Sequence, residues 1–267
     1  MPQPPRDRST FEALLEIVAH LRGPEGCPWD REQDHKTLAP YAIEEIYELV
    51  EALEEKNDQK VKDELGDVLF QVALHTQLAQ ERKAFTVQDV LTNLNEKMIR
   101  RHPHVFADVK VKNSEEVWKN WEKIKKAEKK TPGLEIPEVL PALQRSYKIG
   151  VKTQKAGFDW SNAKQVLEKV KEELQEFEEA QQNGAPSAIE EELGDLLFSV
   201  AQLTRHCGFE PEQTLRAANR KFLTRYNQML KLCFDRGLTF EDLPPAAKES
   251  LWQEVKSLSP EGSKSHP

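Results

Sequence analysis

Acidic residues recur in this chain at spacings that suit a cation. Glu44-Glu45-Ile46-Tyr47-Glu48 is followed by Glu64-Leu65-Gly66-Asp67, and Glu172-Glu173-Leu174-Gln175-Glu176 by Glu192-Leu193-Gly194-Asp195. Each acid of the second set lies 128 residues after its partner in the first. The turns between the half-motifs, Lys56-Asn57-Asp58 and Asn183-Gly184-Ala185-Pro186, keep the spacing while sharing almost no composition. On a helix, positions i and i+3 share a face, so Glu45 projects with Glu48, Glu64 with Asp67, Glu173 with Glu176 and Glu192 with Asp195. A connection this short makes the carrier helices an antiparallel hairpin on which the pairs converge. Carboxylates gathered in this way repel by about 0.2–0.5 kcal/mol per pair even when exposed, and by more when buried without a cation. An all-oxygen donor set selects Mg2+, with Mn2+ as an acceptable substitute, over zinc or copper.

A lone Glu-Glu-x-x-Glu is ordinarily a solvated helix face. Here the helix carrying each second half-motif is apolar over most of its circumference (Leu65, Val68, Leu69, Phe70; Leu193, Leu196, Leu197, Phe198). Such a helix reads as buried, within a bundle and against a partner subunit. Gly66 and Gly194 stand beside the terminal Asp in both copies. Mid-helix glycine costs about 1 kcal/mol relative to alanine, so its recurrence predicts close approach of a backbone or ligand.

A second doubled signal accompanies the acids. Asn95-x-Lys97-x-x-x-Arg101 matches Asn219-x-Lys221-x-x-x-Arg225, and Trp121-x-x-x-Lys125 matches Trp252-x-x-x-Lys256. Each Lys and Arg share a helix face and can clamp phosphate oxygens, the Arg bidentately. Trp121 and Trp252 can stack on a base or ribose, or simply fill a core. No Walker-type glycine loop, Gly-x-Ser-x-Gly or His-Glu-x-x-His occurs, so nucleophilic Ser or Cys catalysis has no support.

Positioning these residues falls to helices, since no alternating strand pattern is present. Ser9 with Glu12 predicts a capping box for a helix stopped by Gly23. Helices follow at about 38–55, 59–82, 86–101 and 114–130. In the second half, Ser161 opens a helix to Gln182, and Ser187 with Glu190 opens one ending near Gly208. Further helices run over about 211–236 and 245–258. The expected organisation is an all-α chain with a first domain over 1–130 and a linker over 131–141, which holds three prolines and a glycine. A second domain covers 142–258, and a disordered tail 259–267.

Bulk properties narrow the function. With 46 acidic against 38 basic residues and a net charge of −8, the chain lacks the basic face needed for a nucleic-acid polymer. No segment has the length of a membrane span, and Met1–Ser9 has no signal-peptide pattern. The three cysteines, Cys27, Cys207 and Cys233, suit a reducing cytoplasm rather than a disulfide framework.

Glu-Glu-x-x-Glu followed by Glu-x-x-Asp, flanked by Glu-Leu-Gly-Asp-x-Leu-Phe, resembles the MazG family of nucleoside triphosphate pyrophosphohydrolases in its long, two-domain form. Gly26-Cys-Pro-Trp-Asp-Arg-Glu-Gln33, Arg100-Arg-His-Pro-His-Val-Phe106 and Gly157-Phe-Asp-Trp160 are similar to other stretches of that form. The resemblance implies two tandem helical-bundle domains that homodimerise into four-helix-bundle-type cores. It also implies Mg2+-dependent cleavage of a nucleoside triphosphate to a monophosphate and diphosphate, in a broad-specificity housecleaning role. It carries metal ligation to Glu173, Glu176, Glu192 and Asp195, with Glu172 beside them as a catalytic carboxylate, and nucleotide contact to Lys169, Lys221, Arg225 and Trp252. The first-domain counterparts are Glu45, Glu48, Glu64 and Asp67, with Lys97, Arg101 and Trp121; the second domain ranks as the principal catalytic one. Two rival readings stand. A di-iron or di-manganese carboxylate bundle needs Glu-x-x-His motifs, of which only Glu32 to His35 exists. A non-catalytic helical interaction or regulatory module would use its acids for solubility alone.

Overall fold

The computed structural model describes residues 3–128 and 133–258. Among them are twelve helices and no strand. The chain divides into two compact units between residues 130 and 131. In the first unit, α1 (Phe11–Arg22), α2 (Pro28–Glu32), α3 (His35–Glu55), α4 (Asp58–Glu81), α5 (Val87–Arg101), α6 (Pro103–Phe106) and α7 (Ser114–Ala127) follow in order. The second holds α8 (Ala142–Lys155), α9 (Ala163–Asn183), α10 (Pro186–His206), α11 (Pro211–Asp235) and α12 (Pro245–Leu258). The all-α architecture read from periodicity is the one observed. The expected extension of α7 to residue 130 and the tail over 259–267 lie outside the described residues.

Each unit is organised on one long hairpin, α3 against α4 and α9 against α10, with α1 packed on α4 and α8 on α10. Both turns leave two residues between helices, by different chemistry. Lys56 closes α3 in the left-handed region at φ 56°, and the Asn57 side chain then caps α4 by accepting from Lys60 N. Gly184 closes α9 at φ 72°, and Pro186 opens α10 with its fixed φ and missing N–H. Equal turn geometry is what holds the acids in matching register while the residues differ.

Several local expectations need correction. Thr10, not Ser9, caps α1 and accepts from Ala13 N at 3.1 Å, while Ser9 donates to Asp7. Asn162, not Ser161, caps α9. Ser187 caps nothing, because Pro186 starts α10 one residue before it. Helices α2, α6 and α8 go beyond the sequence reading; α2 and α6 are short turns opened by Pro28 and Pro103.

Burial is also distributed differently. Val18, Leu38, Ala73, Leu74 and Leu78 form a first-unit core supported by Leu14, Leu15 and Phe70. Met229, Cys233, Leu251 and Val255 form one in the second unit, each large side chain contributing about 1.5–3 kcal/mol. The acid-bearing halves of α4 and α10 are not enclosed by their own chain. Leu65 and Leu69 are each 48% exposed and Leu197 is 62% exposed. Gly66 and Gly194 have open space where a Cβ would stand, so no other described residue approaches them. A glycine that does admit a close neighbour is Gly150 on α8, where a Cβ would fall 2.0 Å from Gln202 Oε1 and 2.5 Å from Arg205 Nε.

That contact belongs to a buried polar clamp. Arg205 of α10 forms a two-pronged pair with Asp159 at 2.6 and 3.0 Å, donates to Gln202 Oε1 at 2.8 Å, and adjoins His206. Burial alone would raise the Asp159 carboxyl, but Arg205 and His206 outweigh it and hold Asp159 below the usual range. The clamp fixes the Gly157–Trp160 loop to the end of α10.

Candidate functional site

Facing turns of each hairpin bring glutamates together. Ligand oxygens of Glu45, Glu48 and Glu64 lie within 4.8 Å of one another, as do those of Glu173, Glu176 and Glu192. Three of the four expected acids therefore converge in each unit. Asp67 and Asp195 sit one turn further along their helices, outside those groups of three. Asp67 remains near enough to raise the carboxyls of Glu45 and Glu64.

Electrostatic stress marks both clusters. Burial lifts Glu45 above its ordinary value, with the charges of Asp67 and Glu48 adding to the rise and the Gln71 side chain opposing it. Glu64 is lifted by burial, then by Glu48 and Asp67, and its Oε2 is buried without a hydrogen-bond partner. In the second unit, burial and the neighbouring Glu173 raise Glu176, while Lys169 works against the rise. Lys169 Nζ bridges Glu172 at 2.7 Å and the buried Glu173 at 2.8 Å, and its own pKa is driven above the lysine value by hydrogen bonds to both. The first-unit position matching Lys169 is Tyr41, packed edge-on against Trp29. The two clusters thus share a geometry but not a charge.

Sequence reasoning missed Gln71, which is buried one turn beyond Asp67 on the acid-bearing helix. Its i+4 spacing was the available signal. Ser199, 128 residues on, is buried in the matching place.

The second doubled signal is assembled locally in each unit. Arg101 stands 5.4 Å from the centroid of Trp121 and Arg225 stands 6.0 Å from that of Trp252, so each arginine meets its downstream tryptophan across a helix pair. Trp252 also packs on Phe222 and borders the α11–α12 core, which is the core-filling reading of it. Among the described residues, no ion pair joins Lys97, Arg101, Lys221 or Arg225 to the acidic clusters.

Two tandem helical hairpins, each with a tight carboxylate cluster and a separate Arg–Trp pair, define an all-α protein of duplicated site. The model of the MazG nucleotide pyrophosphohydrolase domain matches residues 33–106 and again 161–230, and the chain belongs to the MazG family. It is 48% identical over 250 residues to the nucleoside triphosphate pyrophosphohydrolase/pyrophosphatase MazG of Thermotoga maritima, spanning 92% of this chain and 95% of that protein. Similarity to the nucleoside triphosphate pyrophosphohydrolase of Escherichia coli K12 is 41% over 254 residues, covering 92% and 97%. A Bacillus subtilis protein, YabN, is 41% identical over 252 residues, a match that takes up 51% of its length. The di-iron alternative loses its anchor, because His35 bonds His75 and Arg82 rather than a carboxylate.

Proposed function

We propose that this chain is a Mg2+-dependent nucleoside triphosphate pyrophosphohydrolase that converts NTP and water to NMP and diphosphate, with broad specificity in nucleotide-pool housecleaning. The observation that carries the reading is the doubled convergence of three glutamates within 4.8 Å. The residues fit a hard divalent cation: every donor is a carboxylate oxygen, Glu64 keeps a buried oxygen without a partner, and Glu45, Glu64 and Glu176 are all raised. Glu173, Glu176, Glu192 and Asp195 would hold the ion in the second unit, and Glu45, Glu48, Glu64 and Asp67 in the first. When bound, Mg2+ supplies Lewis acidity toward the triphosphate oxygens and acidifies water.

The chain's own groups complete the chemistry. Glu172, half-exposed beside the cluster, orients a water and takes its proton as the oxygen joins phosphorus and the α–β bridging bond breaks. Lys169 positions Glu172 and Glu173 from between them. Lys221 and Arg225 offset the charge growing on the departing diphosphate, and Trp252 flanks the nucleotide. The two units act as domains over 1–130 and 142–258, the second being the principal catalytic one.

Homodimerisation into four-helix-bundle-type cores is supported by the apolar stripes that α4 and α10 leave uncovered. No helix among the described residues is long and apolar enough to cross a membrane, and the acidic charge disfavours polymeric nucleic acid, in keeping with a cytoplasmic enzyme. Assaying released diphosphate against orthophosphate tests the reaction. Diphosphate is expected, together with loss of turnover by more than about a hundredfold in Glu176→Ala or Asp195→Ala. ADP plus orthophosphate from ATP would sink the assignment, and absence of any hydrolysis would favour the interaction-module reading.

A further inference from the structure

The end of α5 and the residue just past α7 meet at an ion pair with no counterpart among the described residues of the second unit. Lys97 and Arg101 lie one turn apart on α5, with Trp121 of α7 against Arg101. Glu128 stands just past α7, seven residues beyond Trp121 and on the same face. One of its oxygens accepts from Arg101 Nε at 3.1 Å and Nη2 at 2.5 Å. The other accepts from Arg100 Nε at 2.8 Å. Nε and Nη2 form the edge of a guanidinium that grips an oxyanion bidentately, so Glu128 already fills the place a phosphate would take. The Arg101 and Glu128 side chains are only 17% and 25% exposed, which sets this pair apart from a screened surface contact. Both arginines together hold the Glu128 carboxyl down to about 2.

The second unit is built otherwise. Seven residues past Trp252 stands Ser259, an uncharged side chain. The acid next along α12, Glu254, pairs with Arg236 at 2.5 Å instead. Among the described residues Arg225 forms no ion pair and keeps only its tryptophan.

We propose that Glu128 is an internal anion that occupies the phosphate-binding edge of Arg101 and weakens triphosphate binding by the first unit relative to the second. This rests on reading Lys97 with Arg101, and Lys221 with Arg225, as phosphate clamps. A triphosphate entering the first site must displace a carboxylate that two guanidinium groups already hold, whereas at Arg225 it meets no competing carboxylate among the described residues. Glu128 thereby sets the division of labour between two sites with the same acidic geometry.

The test uses the full chain with Mg2+ and α,β-methylene ATP, whose carbon bridge resists cleavage, as the calorimetric probe. Arg225→Ala first weakens the second clamp. Adding Glu128→Gln is expected to tighten probe binding about tenfold, and adding Arg101→Ala as well is expected to erase that gain. Glu128→Asp, which keeps the charge on a shorter arm, should fall between the two and guards against Gln disturbing α7; circular dichroism confirms folding. Equal affinities across this series, or a gain that survives Arg101→Ala, overturn the proposal. Diphosphate release by the wild-type chain is read in parallel. If it is absent while Glu128→Gln still tightens binding, the reaction assignment fails and Glu128's role stands.

Discussion

Lys169 is the side chain on which the two acidic clusters differ most. It sits between Glu172 and Glu173 at 2.7 and 2.8 Å, where the first unit has Tyr41. Removing its charge leaves Glu173, which is buried, beside Glu172 and Glu176 with no cationic partner among the described residues. Lys169→Met is therefore expected to lower turnover about 10–100-fold, the range typical of groups that orient metal ligands. Lys169→Arg should recover part of it by restoring the charge without the same point geometry. Initial-rate assays of diphosphate release check both; unchanged turnover in Lys169→Met would remove the residue from the site.

At the scale of the element, each hairpin is pinned at its far end by a different device. In the first, Arg82 donates to His35 Nε2 at 2.8 Å and the His35 and His75 Nδ1 atoms lie 2.8 Å apart in stacked rings. With Nε2 accepting, His35 carries its proton on Nδ1 and donates it to His75 Nδ1, so this chain of bonds needs both rings neutral. Burial, then the repulsion that a protonated His35 would exert on a protonated His75, lowers the His75 pKa from 6.5. The unfolded chain thus binds a proton more readily than the folded one. The stability from the pair is complete above about pH 6.5, declines as pH falls through the lowered folded value, and is absent below it. Thermal unfolding from pH 7.5 to 5 should show this slope, and His75→Leu, which copies Leu203 of the second unit, should flatten it. In the second hairpin the equivalent device is the Arg205–Asp159 pair, with side chains 6% and 9% exposed. Arg205→Met strands a buried carboxylate and should cost about 3–5 kcal/mol, measured by denaturant unfolding; a cost under about 1 kcal/mol would mean that water reaches Asp159.

For the whole molecule, the uncovered faces of α4 and α10 are the feature a single chain leaves unfinished. Leu69 and Leu197 stand exposed on helices whose opposite sides are buried, and apolar stripes of this kind mark association surfaces. Light scattering should find a dimer for the wild-type chain and a shift toward monomer for Leu69→Glu combined with Leu197→Glu. A dimer that survives both changes places the interface elsewhere.

Helical hairpins, their register and the doubled acids were legible in the residues alone, because 3.6-residue periodicity and i, i+3 spacing are local properties of one helix. Capping was harder to read: Thr10 and Asn162 take the roles that spacing assigns to Ser9 and Ser161, since neighbouring residues compete for the same N–H groups. Only tertiary structure decided the rest. It showed that the apolar helices leave half their stripe open, that Gly66 and Gly194 face no other described residue, and that Glu173 is buried beside Lys169. It also brought Glu128 to Arg101 from 27 residues away and His75 to His35 from 40. Such contacts depend on how helices cross, which no spacing within a single helix encodes. That is why the acids, and Lys169 at i+3 and i+4 spacing from Glu172 and Glu173, could be matched in sequence, while the Glu128 that counters Arg101 in the first unit could not.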